Sequence, residues 1–122
     1  MANIGGNITG IIQTKDTKKD EAGNIVTNEI GEAVKDWVDT FSQRGWLDMQ
    51  TGGSTYTNFS AKIEESTHVF LCDYHSGIYA LADQDTRMII KGNMYDVLLI
   101  DDPMEVDEQL EIYLRKVGGQ NG

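Results

Sequence analysis

Residues 86–117 read TRMIIKGNMYDVLLIDDPMEVDEQLEIYLRKV, three strands in succession, and this stretch decides the fold. Arg87–Lys91 carries Met88, Ile89 and Ile90, a short β-favouring run. Gly92-Asn93 follows as a two-residue hairpin loop, with Gly supplying a positive φ at the first loop position. Met94–Ile100 is almost continuously apolar, the pattern of a strand covered on both faces. Asp102-Pro103 ends it, because proline presets a turn and cannot donate to a ladder. Gln109–Val117 then alternates: Leu110, Ile112 and Leu114 share one face, and Gln109, Glu111, Tyr113 and Arg115 the other. The result is a β-meander whose remaining partners must come from upstream.

Upstream, Ile8–Thr14 reads as a first strand and Lys15–Asn24 as a polar loop with a turn at Ala22-Gly23-Asn24. Ile25–Ile30 is a weak strand interrupted by Gly31 to Ala33, and no internal repeat stands out. Val34–Phe41 is a further strand, and the Trp37 and Trp46 rings are expected to anchor the core. Arg44–Gln50 fits either a strand or a helical turn. Thr51–Thr55 is a Gly-rich loop, and Tyr56, Phe59 and Ile63 recur at the spacing of a short amphipathic helix. Thr67–Tyr74 is a strand closed by Ser76-Gly77. About six strands, one short helix and tight turns predict a mainly β fold. A small antiparallel barrel is favoured, because closure removes exposed strand edges. Residues 1–122 are read as a single domain with flexible Gly/Asn-rich termini.

The composition narrows the function classes. At 122 residues the chain suits one core. A single cysteine, Cys72, excludes an internal disulfide and a multi-cysteine zinc site. No window resembles a membrane span, and MANIGGNITG lacks the basic and apolar regions of a secretory signal. The net charge of −10 opposes any grip on nucleic-acid phosphates and favours a basic protein partner or simple solubility.

Two groupings invite chemistry. His68, Cys72 and His75 lie close in sequence, but strand alternation sets His75 opposite the other two, so no metal site is expected. Asp101, Asp102, Glu105, Asp107, Glu108 and Glu111 form a dense acidic run without the alternation of a calcium loop. Two of these carboxylates could serve a small hydrolase only if a cleft set them across a substrate. No nucleotide-binding, nucleophile-elbow or zincin motif occurs. The residues therefore predict a non-catalytic interaction module without a cofactor. Asp101, Asp102, Glu105, Asp107 and Glu108 are its candidate contact residues.

The order ESTHVFLCDY followed by the 86–117 meander resembles the head–tail joining (head-closure, or stopper) proteins of tailed bacteriophages. The carrying residues are Arg87, Ile89, Gly92, Tyr95, Val97, Ile100, Asp101 and Asp102, with the Asp20…Gly23 turn and the Trp37 strand in the expected order. The resemblance covers roughly residues 8–117. It departs from the family at Phe70-Leu71-Cys72, where an arginine is common. It implies a small β-barrel that forms a dodecameric ring on the portal complex, retains packaged DNA as channel content and receives the tail. It also implies a place in the virion after assembly in the bacterial host cytoplasm, and no active site. A tail-terminator or other tail-assembly protein is the alternative within the virion. A small ligand-binding β-barrel is the alternative outside it.

Overall fold

The chain's short alternating strands cannot each cover both faces, and they solve this by closing on themselves. The computed structural model describes residues 4–49 and 66–118. Within them six strands form a closed barrel: β1 Ile8–Thr17, β2 Lys35–Met49, β3 His68–Asp73, β4 Thr86–Ile90, β5 Asn93–Asp101 and β6 Gln109–Gly118. Their order around the barrel is β1-β2-β3-β6-β5-β4, with every neighbouring pair antiparallel. The short helix among the described residues is α1, Ser76–Tyr79, and the amphipathic pattern at Tyr56 to Ile63 lies outside the described residues. His75 caps α1: its Nδ1 accepts the amide N–H groups of Gly77 and Ile78 at 3.1 and 3.3 Å.

The core follows the alternation of the strands. Leu110, Ile112 and Leu114 are fully buried and meet Ile12, Phe70, Cys72, Met88, Ile90, Tyr95 and Ile100 inside the barrel. Ile78 of α1, also fully buried, and Leu81 join them from one end. Each such side chain removed from water contributes about 1.5–3 kcal/mol. Gly45 sits where β2 passes from β1 to β3, and a Cβ there would collide with the Leu71 carbonyl and the Phe70 ring.

Several local readings change in three dimensions. The β4–β5 turn is Lys91-Gly92, one residue earlier than expected: Ile90 pairs with Asn93, and Lys91 and Gly92 both have positive φ, at 51° and 78°. That double positive φ is the mark of a type I′ turn. No residue of β5 is exposed, but only Tyr95 and Ile100 are buried. Leu98 is an extra residue between the Val97–Leu114 and Leu99–Tyr113 pairs, so the alternation changes phase there. Tyr95 and Ile100 consequently both point inward across an odd spacing. β2 continues without a break through the ambiguous Arg44–Met49 stretch.

Neither tryptophan anchors the core, because the strand parity puts both on the outer wall. Trp46 is 43% exposed, and its indole N–H donates to the Ile4 carbonyl at 2.8 Å. Trp37 lies under Arg87, 4.4 Å from its ring centroid, with Lys15 at 5.2 Å. A polar row crosses the same wall through the register Asp39, Gln13, Arg87, Asp96, Arg115. Gln13 bridges Asp39 and Arg87 with two 2.7 Å bonds, and Arg115 meets Asp96 at 3.2 Å.

Candidate functional site

Because every neighbour is antiparallel, strand direction alternates around the barrel. The β1–β2, β3–β4 and β5–β6 connections therefore all leave at one end. This end gathers residues that are far apart in sequence. Residues 15–39, 73–85 and 101–111 hold sixteen carboxylates and four cations, a net of −12. The remaining described residues, with five cations and two carboxylates, carry +3. Among the described residues the acidity is thus polarised onto one end of the barrel.

The acidic loop is built around Asp102. Its side chain is 3% exposed and accepts the Asp107 amide N–H with both oxygens, at 3.2 and 3.3 Å. Its carbonyl accepts the Glu105 N–H at 2.9 Å, closing a turn over Pro103 and Met104. Pro103 at the second turn position and a positive φ at the third, Met104 with φ 59° and ψ 9°, make this a type II turn. That third position normally takes glycine. Glu105 and Asp107 also have positive φ, at 54° and 58°, so three non-glycine residues here share the left-handed region. The strained loop presents Met104, 90% exposed, and Val106 to solvent.

Of the five sequence-derived contact residues, Glu105, Asp107 and Glu108 are exposed, Asp101 is half-buried in β5, and Asp102 is the buried brace of the loop. Crowding marks their chemistry. Burial first, then the carboxylates of Glu111, Asp102 and Glu105, raises Asp101 above the ordinary carboxylate range. A hydrogen bond to the Asp102 carboxylate, with desolvation, raises Asp107. Tyr74 and Tyr79, 6.1 Å apart, face the same loop, and desolvation followed by its carboxylates raises both phenols. Tyr113 donates to Glu111 at 2.8 Å; burial, then this bond, raises its phenol.

The second feature of this end is a prong, in a stretch where the sequence pattern shows only a polar loop and a weak strand. Residues 18–34 form two successive loops with the same hydrogen bonds, eight residues apart. Asp20 Oδ1 accepts the N–H groups of Ala22 and Asn24, and Asn28 Oδ1 accepts those of Ile30 and Glu32. Gly23 and Gly31, with φ of 86° and 88°, donate back to the Asp20 and Asn28 carbonyls. At the base, Lys18 donates to Val34, Val34 to Val26 and Val26 to Lys18, at 2.7, 2.9 and 2.9 Å. The signal was present in the sequence as Asp20-Glu21-Ala22-Gly23 against Asn28-Glu29-Ile30-Gly31. It is too short and too diverged to stand out without the matching bonds. Ile25 and Ile30 on this prong are 56% and 79% exposed.

A shallow cleft of about 340 Å³ opens beside the prong's base, lined by Lys15, Trp37, Gln84, Asp85, Thr86, Asp96, Val97 and Leu98. Lys15 meets Asp85 there at 3.9 Å. His68, Cys72 and His75 do not converge. Cys72 is sealed in the core, where burial pushes its thiol up to about 12. His68 packs against Tyr95 with ring centroids 5.1 Å apart, and His75 caps α1. Among the described residues no three His, Cys, Asp or Glu side chains are placed to hold a metal ion, and no helix is long and apolar enough to cross a membrane.

Residues 11–117, spanning every strand from β1 to β6, match the family model described as phage head completion protein. None of the curated proteins matches the chain.

Proposed function

The chain belongs to the phage head completion protein family and is a structural component of the phage head; on that premise we propose that it is the head–tail connector of the virion. In this reading it forms a ring, dodecameric on the portal or adaptor complex, after assembly in the bacterial host cytoplasm. The ring retains packaged DNA as channel content and receives the tail protein. It performs no catalysis and needs no cofactor. The observation that carries the reading is a family match that runs through all six strands. The −12 end supplies its contact surface, with Glu105, Asp107 and Glu108 exposed, Asp101 half-exposed and Asp102 holding the loop in shape. A carboxylate-rich end meets a basic docking surface by electrostatic steering and repels bare phosphate.

The test uses heads assembled without this chain. Adding the purified protein should restore DNA retention and tail joining, and a label on it should appear at the head–tail junction in electron micrographs. Label spread over the capsid shell, or heads that keep their DNA and join tails equally well without the protein, would refute the connector role.

A further inference from the structure

The prong is expensive to order and earns nothing from the barrel core. Residues 18–34 satisfy one another's backbone groups through the two side-chain-braced loops and the Lys18–Val34–Val26 ring of bonds. Only Val26 and Val34 among them are even half-buried. A projection whose backbone is bonded within itself and whose isoleucines are unburied is shaped for contact with something else.

What it contacts follows from the company it keeps. Five of the eight exposed large hydrophobics among the described residues, Ile25, Ile30, Val38, Met104 and Val106, belong to the −12 end. A wall past which DNA slides needs the carboxylates but has no use for isoleucine and methionine, since a phosphate backbone offers no apolar pocket to receive them. Apolar anchors seated in pockets within a charged rim are instead the usual pattern of a protein interface.

Resting on the connector reading, we propose that the prong and the Met104–Val106 knuckle together grip a protein partner. Its surface carries apolar pockets rimmed by lysine and arginine, and packaged DNA is not what this end meets. Ile25 and Ile30 are the anchors from one side and Met104 from the other. Glu21, Glu29, Glu105 and Glu108 are the flanking charges that orient them.

The probe is heads lacking this chain, taken both freshly packaged, before their DNA has leaked, and after nuclease emptying, with binding of the full-length protein read by co-sedimentation across a salt series. Wild type should bind both kinds of head and bind less as salt rises. The double variant Ile25→Ser/Ile30→Ser should bind about tenfold or more weakly at every salt concentration while keeping its melting temperature, because both side chains are exposed. Glu21→Lys/Glu29→Lys should bind more weakly chiefly at low salt. An isoleucine variant that binds like wild type overturns the inference and leaves the connector reading standing. So does wild-type binding that disappears when the heads are emptied, which would make DNA the occupant. Wild type that binds neither kind of head overturns the connector reading and this inference together.

Discussion

Met104→Gly should make the protein more stable and a poorer docking partner. Met104 holds φ 59° at the position of a type II turn that favours glycine, and its side chain is 90% exposed. A left-handed backbone costs a non-glycine residue about 1–2 kcal/mol. Glycine loses more chain entropy on folding, which takes back about 0.4–1 kcal/mol. Since no core contact is lost, the net gain is about 0.5–1 kcal/mol. For a domain of this size that is a rise of roughly 2–4 °C in melting temperature. Thermal unfolding followed by circular dichroism measures the first half, and co-sedimentation with heads measures the second. The connection is physical: strain held at an exposed apolar side chain persists where presenting that side chain has a use. An unchanged or lowered melting temperature would show that no strain is stored at Met104. Undiminished binding would show that the strain serves another end.

Three further outcomes follow from the geometry. Asp101 and Asp107 have native values raised above 3.8, so the folded state binds more protons than the unfolded one in the interval above 3.8. Their contribution to stability is full below 3.8 and is lost as pH rises through the raised values. Mild acidification into that interval should therefore raise the melting temperature, and Asp101→Asn with Asp107→Asn should flatten that part of the profile. Gly92→Val should cost about 1–3 kcal/mol, because a β-branched residue at φ 78° is strained, whereas Lys91→Asn should stabilise slightly by giving the turn its preferred Asn-Gly pair; chemical denaturation of both variants checks the signs. Cys72, fully buried with its thiol pushed up to about 12, should resist alkylation in the native protein and react fully once denatured; rapid native labelling would contradict its placement.

The sequence by itself determined most of the barrel. Leu110, Ile112 and Leu114 announce their face by period-two alternation, a property of one strand that needs no partner to be read, and all three are fully buried. The number of strands, the short loop at Gly92 and the acidic run 101–111 were legible for the same local reason. What failed locally depended on parity or direction elsewhere in the chain. Trp37 and Trp46 belong to a strand whose two faces are both mixed, so only pairing with β1 and β3 decides that they lie outside. Leu98 looks like any other apolar residue of β5 until its pairing with β6 makes it a bulge and moves Ile100 inward. Asp102 looks like its acidic neighbours, yet its place under the Asp107 amide makes it a brace. The polarised end could not be read from any one segment. It exists because antiparallel closure returns every second connection to the same side, and that alternation brings a prong near residue 30 and a loop near residue 104 to the same end of the barrel.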